Sequence, residues 1–195
     1  MKPVLSFLLV CVAFPAIAQD NYHDSLLVFQ ANYKKDLSAI IKSDTAFVRF
    51  YEPDLRYRVI ARAELVSGQP FFTMTTSGSR TLKAKRFAKL YFTLNGQPYE
   101  LFAYQLSFWL DSKDNKDDFF IPFVDEGSGK SSYEGGRYLD FKVSDIVDNK
   151  LVIDFNKAYN PYCAFTTRYN CPIPPSENTL HADVLAGERK FAKEH

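Results

Sequence analysis

The sequence is poor in the residues on which recognisable chemistry most often rests. It holds 3 His, 3 Cys, 2 Met and 1 Trp in 195 residues. No GxSxG, HExxH or CxxC occurs. Their absence removes the strained nucleophile turn of the α/β hydrolases, the helical zinc-protease pair and the close-spaced zinc dithiol. Charge of one sign is also lacking, since 24 Lys+Arg stand against 23 Asp+Glu. A near-neutral chain has no long-range field to draw nucleic acid or an anionic membrane, so neither is expected as a partner. Long apolar runs are missing except at the N-terminus. There Lys2 precedes Val4–Phe14, broken only by Ser6, and Ala16-Ile17-Ala18 follows. A positive start, a short apolar core and a small-x-small end are the parts of a cleavable signal peptide. The core is shorter than the roughly 20 residues that span a bilayer, and Pro15 closes it. Cys11 follows Val10 rather than the small residue typical of lipid attachment. The sequence predicts residues 1–18 as a leader, cleavage after Ala18, no transmembrane anchor afterwards, and a periplasmic or secreted location.

Loss of the leader takes Lys2 with it, which brings Lys+Arg to 23 and equal to Asp+Glu. It also leaves two cysteines, Cys163 and Cys171. An even pair in an exported chain is read first as a disulfide. The remaining length suits one domain with a sizeable core.

What is abundant is aromatic: 18 Phe and 12 Tyr. These favour strands. Residues Leu26, Leu27, Phe29, Tyr33, Leu37, Ile40 and Ile41 recur at helical spacing and predict an N-terminal helix capped by Asp24 or Ser25. After Pro53 the period becomes two. Strands are predicted over Tyr57–Val66, Phe71–Thr76, Leu82–Leu94, Pro98–Leu110, Phe119–Val124, Tyr138–Val143, Leu151–Phe155 and Leu180–Leu185. Asn95-Gly96 is the strongest hairpin signal, because both residues tolerate positive φ. The expected fold is mainly β, an antiparallel sandwich or partly open barrel, with an N-terminal helix and a long irregular C-terminal loop. That loop, Asn156–Asn178, is aromatic and Pro-rich, and Asp125–Gly136 is a second, Gly/Ser-rich one. Irregular segments of such length are often functional.

Several motifs reduce to blander chemistry. Gly127-Ser128-Gly129-Lys130-Ser131 resembles the end of a phosphate-binding loop, but the glycine required five residues before Gly129 is Val124. A turn is the better expectation. Asp111–Asp118 is acidic, yet lacks the central glycine and terminal glutamate of a calcium loop. Cys163, Cys171 and His181 lack a fourth zinc ligand, and a disulfide would remove the thiolate that a Cys/His nucleophile needs. His23 and His195 sit near the mature ends. No metal and no cofactor is expected. The remaining candidates are polar residues of the irregular stretches. Arg137, Tyr138, Asn160, Tyr162, Arg168, Glu177 and Asn178 are predicted to line a pocket, with Arg for a carboxylate or phosphate and Tyr for stacking. Asp140, Asp154, Asn156 and Tyr169 belong to the same set. The competing expectation is that these side chains satisfy loop backbone and one another.

The stretches Tyr133-Glu134-Gly135-Gly136-Arg137-Tyr138-Leu139-Asp140, Asp154–Ala164, Cys171–Asn178 and Ala186-Gly187-Glu188 together resemble a bacterial and archaeal family of unknown function. Tyr57–Ala61 matches it as well, and the resemblance runs from about residue 45. It implies no activity, cofactor or catalytic residue. Relatives without an export signal carry the same two-cysteine segment, which implies a packing or site role for the thiols in a reducing compartment. The sequence thus predicts an exported binding or structural module whose partner is a small molecule or an envelope component. The alternative is a small extracytoplasmic enzyme, such as a hydrolase, built on the same polar cluster.

Overall fold

The structure, a computed structural model, describes residues 14–193, with side chains from residue 21. The predicted leader lies mostly outside the described residues. Its residues 14–18 form the start of helix α1, Phe14–Ile41. The helix therefore has no cap at Asp24 or Ser25; it runs through them. It stops where Lys42 takes a positive φ of 53°. No helix among the described residues is long and apolar enough to cross a membrane.

Seven strands follow: β1 Arg58–Leu65, β2 Phe72–Met74, β3 Leu82–Leu94, β4 Gln97–Leu106, β5 Asp118–Phe123, β6 Arg137–Lys142 and β7 Lys150–Asp154. All pair antiparallel in one sheet of order β6-β5-β4-β3-β1-β7, with β2 beside the first residues of β3. Asn95 and Gly96 join β3 to β4 with φ of 50° and 79°, the geometry expected of that dipeptide. The sheet is a single layer that curls into a half-barrel. Strands at its opposite ends, β6 and β7, send Leu139, Leu151 and Ile153 into one core. Of the two architectures expected, it is the partly open barrel.

The inner face of the sheet is filled, and the outer face is covered over part of its area. Inside the curl lie Leu90, Leu101, Ala103, Phe119, Ile121 and Phe123. On the opposite face Met74, Ala84, Tyr104, Leu106, Phe120 and Tyr138 form a second core. A β-bulge at Phe87 lets β3 serve both. Arg86 pairs with Tyr104 but Ala88 with Ala103, so the extra residue turns Ala88 to the inner face while Ala84 faces outward.

Two predicted strands need correction. Pro98–Leu110 ends as a strand at Leu106; Ser107–Leu110 is a helical turn, α2. It lays Trp109 edge-on against Phe120. Leu180–Leu185 forms no strand. Its backbone is engaged by distant partners instead: Leu180 N–H donates to the Val124 carbonyl and Val184 N–H to the Asp125 carboxylate.

Helix α1 docks along the side of the barrel. Leu26 and Leu37 are buried, and Tyr33 packs edge-on against Phe50. Polar contacts fix it further. Tyr22 donates to Asp154, and Tyr33 donates to the buried carboxyl of Glu188 at 2.9 Å.

Candidate functional site

Most of the polar residues expected to line a pocket are instead parts of the scaffold. Arg137 opens β6 and points into the barrel end, 1% exposed. Its Nη2 donates to Asp125 Oδ2 at 2.9 Å and to the Val184 carbonyl at 2.9 Å, and its Nη1 to the carbonyls of Ala186 and Glu188. Loss of hydration lowers its pKa, which the Asp125 carboxylate opposes. Asn178 is fully buried and stitches β4 to β5. It accepts from Phe102 N–H and donates to the carbonyls of Phe102 and Pro122. Asn160 is equally buried; its N–H donates to Glu188 Oε2 and its side chain to the Arg189 carbonyl. Tyr138 donates to the Pro172 carbonyl.

Glu177 holds its loop to the sheet by a two-pronged bond from Arg86, at 2.8 and 2.9 Å, and a third from Tyr104 at 2.5 Å. Partial burial pushes its carboxyl up, but Arg86 and Tyr104 outweigh this and hold it below its ordinary value. Arg168 is exposed and, among the described residues, donates only to Thr166. The glycine-rich Gly127–Ser131 is a tight turn. Lys130, Ser131 and Ser132 N–H groups all converge on the Gly127 carbonyl, so these donors are engaged within the turn.

Cys163 and Cys171 are joined in a disulfide, which removes the thiolate a cysteine nucleophile would need. Its placement gives it another use. Tyr162 and Tyr169 flank the bridge, and their rings meet 4.9 Å apart. Closing a loop of separation 8 constrains the unfolded chain by about 2.5 kcal/mol on chain-entropy grounds. Reduction with dithiothreitol should therefore lower the midpoint of thermal unfolding. A midpoint that does not move on complete reduction, checked by thiol titration, would remove the clamp from the account.

Open clefts lie elsewhere: one of about 1170 Å³ along β1, β3 and β4, lined in part by Arg62, Tyr91, Glu100 and Glu177, and another at the seam of the barrel. Edge strands β6 and β7 approach there without pairing, and α1 roofs the gap. The resulting cleft holds about 650 Å³. It is lined by Phe29, Tyr33 and Asp36 of α1, Asp140 and Phe141 of β6, and Val152 and Asp154 of β7. Arg58, Asp145, Lys157, Tyr159 and Tyr162 complete its polar rim. Of the seven residues the sequence predicts to line a pocket, Tyr162 alone belongs to it; Asp140 and Asp154 come from the wider polar set.

Asp140 is a lining carboxylate of this cleft. Tyr159 donates to its Oδ2 at 2.6 Å. The carboxyl is open to solvent, yet recessed among protein atoms. The loss of hydration raises its pKa, against the Tyr159 bond that lowers it. The Tyr159 hydroxyl is pushed well above its ordinary value, by burial first and by Asp140 second. Tyr162 is also raised, by burial and then by the charges of Tyr169, Asp140 and Asp36. Asp36 and Asp140 therefore act on the same Tyr162 hydroxyl from opposite walls. Tyr33 and Tyr159 present rings 5.9 Å apart.

Backbone polarity points into the seam as well. In an antiparallel pair, hydrogen-bonded residues alternate with residues whose N–H and C=O face away. Tyr138 exchanges both of its bonds with Tyr159, outside the β5–β6 ladder. Asp140, two residues on, therefore turns its N–H and C=O to the same side. On β7, Ala63 N–H donates to the Asn149 carbonyl, so Val152 and Asp154 are the residues that face away from β1.

No curated protein matches the sequence. The solution NMR structure of an uncharacterized protein from Haloarcula marismortui is similar, with 30% identity, a TM-score of 0.65, and coverage of 88% of this chain and 97% of that one. A family model matches residues 43–189. The chain thus belongs to the family described as Protein of unknown function (DUF1684).

Proposed function

We propose that the protein is an exported, periplasmic or cell-envelope, binding module that takes a small molecule into the seam cleft between α1 and strands β6 and β7. The observation that carries this reading is the composition of that cleft. It combines a solvent-open carboxylate braced by a tyrosine, Asp140 on Tyr159, with aromatic walls and unpaired strand edges. Binding sites join a mostly apolar lining to a few placed polar groups in this way. The alternative, a hydrolase, draws on the raised pKa of Asp140, a property of general acids. It is the weaker reading because, among the described residues, no Ser, Thr, Cys or His lines the cleft, which leaves only carboxylates to serve as nucleophile or base. Export draws on the leader pattern and accords with the disulfide.

The test is an ¹H–¹⁵N spectrum of the mature protein recorded against mixtures of polar metabolites. Shifts should gather on Tyr33, Asp36, Asp140, Tyr159 and Tyr162. Shifts gathered instead on the outer β1–β3–β4 surface around Arg62, Tyr91 and Glu100 would refute the site. Mass spectrometry of the envelope fraction should find Gln19 as the first residue; an intact Met1 in the mature protein would refute export by cleavage.

A further inference from the structure

The cleft is defined by more than its shape, and its chemistry narrows the ligand. This inference rests on the seam cleft being the binding site. Four carboxylates line it, Asp36, Asp140, Asp145 and Asp154, against two cations, Arg58 and Lys157. The carboxylates differ in how far they are already engaged. Asp154 accepts from Tyr22, from Asn156 N–H and from the Asn156 side chain. Asp145 accepts from Lys142 N–H. Asp140 accepts from Tyr159 at Oδ2 and has no other side-chain partner among the described residues. Asp36 stands on the opposite wall, on α1.

Each cation has a neighbour of its own on the cleft wall. Lys157 lies over the Phe29 ring, 5.8 Å from its centroid. Arg58 pairs in register with Asp154 at the β7 side. Asp36 and Asp140 both act on Tyr162, so the part of the cleft lined by Tyr33, Tyr159 and Tyr162 carries two carboxylates. The seam-facing carbonyl of Asp140 adds an acceptor there.

Carboxylate oxygens, a backbone carbonyl and the negative faces of aromatic rings are all complements of one chemical group. An ammonium has three donors and no acceptor, and a cation is drawn to ring faces. An anion would meet two carboxylates, and a neutral sugar would leave the charge of Asp36 and Asp140 uncompensated. We infer that the cleft binds a small organic ammonium ion, its charged nitrogen between Asp36 and Asp140 and its apolar body against Tyr33, Tyr159 and Tyr162. The side-chain bond from Tyr159 holds Asp140 in place for this, so Tyr159 acts as a positioning residue.

The experiment titrates the mature protein with n-butylammonium chloride and 1,4-diaminobutane dihydrochloride, with sodium butyrate and glucose as controls. Isothermal titration and the ¹H–¹⁵N spectrum are the readouts. Both amines should shift Tyr33, Asp140 and Tyr162, and the affinity should fall with added salt. Asp140→Asn keeps the shape and the Tyr159 contact but loses the charge; it should weaken amine binding about tenfold or more. Asp36→Asn, on an exposed helix position, should weaken it in the same direction. Glu100→Gln, outside the cleft, should leave it unchanged. Equal binding by wild type and both aspartate variants would overturn the inference. Shifts in the cleft from butyrate or glucose, with both amines silent, would also overturn the ammonium assignment and leave the cleft as the site. Silence of the cleft toward all four probes would overturn the assignment too, and the metabolite-mixture spectrum then decides separately whether the cleft is a site at all.

Discussion

Replacing Arg137 with alanine should cost about 3–5 kcal/mol of stability, enough to bring a domain of ordinary stability close to unfolding. The reason is the surroundings of the guanidinium. Arg137 and Asp125 are 1% and 0% exposed at their side chains, so neither can turn to water when the other is removed. Alanine would leave the Asp125 carboxylate charged in a dry interior. It would also strand the carbonyls of Val184, Ala186 and Glu188, which this one side chain ties together. Those carbonyls belong to the irregular C-terminal segment, which has no ladder of its own and is held to the barrel by such bonds. Arg137→Lys keeps the charge but cannot span four acceptors, so it should fall between wild type and alanine. Urea unfolding followed by far-UV circular dichroism measures all three. A loss under 1 kcal/mol for the alanine variant would mean that the segment is anchored by something else. The same series separates two roles for this residue. A ligand-binding arginine would lose affinity and keep stability; a structural anchor does the reverse.

The sequence leaves both roles open, a pocket residue or a partner of loop backbone, because it does not show which way the side chain points. Local patterns are legible where local geometry decides. The alternation in β1, the span of β3 and the Asn95-Gly96 turn follow from period two and from positive φ, and each is found where expected, while the bulge at Phe87 breaks the alternation within β3. Patterns fail where a distant partner decides. The alternation after Leu106 continues to Phe108, but Leu106 pairs with Ala84 and β3 starts only at Leu82. A longer β4 would have little left to pair with, and the chain turns into α2. Leu180–Leu185 alternates too, yet Asp125 and Arg137 claim the Val184 N–H and carbonyl. The site is harder still. Arg137, Asn160 and Asn178 have the composition of a pocket, but composition does not say whether a side chain faces a ligand or a carbonyl. The cleft itself is made by β6 and β7, the two ends of the sheet order, and by α1. Asp36 and Asp140 line one cleft only because the sheet curls under α1, and no spacing in the sequence encodes that. Asp140 and Tyr159 could have been singled out by one signal, their place on facing segments around the Tyr138–Tyr159 bridge, which is itself tertiary.

The stability of the protein should fall as pH rises from 5 to 8, a direction opposite to that produced by an ordinary salt-bridged carboxylate. Glu188 is the cause. It is fully buried behind α1, and burial pushes its carboxyl from 4.5 up to about 8, against the lowering effect of Asn160, Tyr33 and Arg137. Between those two values the folded protein keeps a proton that the unfolded chain has released. The unfolded state then binds fewer protons, so the free energy of unfolding declines with pH, by about 1.4 kcal/mol per unit at the steepest. Below 4.5 both states hold the proton, and above 8 neither does, so the contribution is flat outside the window. The bonding around Glu188 agrees with a protonated group. Oε2 accepts from Tyr33 and from Asn160 N–H, while Oε1 is buried with no donor, as is the acceptor Oδ1 of Asn160. A proton on Oε1 turns one orphaned acceptor into a donor, at a place where a bare carboxylate oxygen would be costly. Glu188→Gln carries no titrating group, so its stability should stay level across the window relative to wild type, with the two converging at acid pH and separating toward pH 8. Asp140 is raised as well and slopes the same way, but it is present in both proteins and cancels in the difference. Parallel urea midpoints for wild type and Glu188→Gln from pH 5 to pH 8 would show that the glutamate is ionised in the fold, and that Arg137 then balances two carboxylates rather than one.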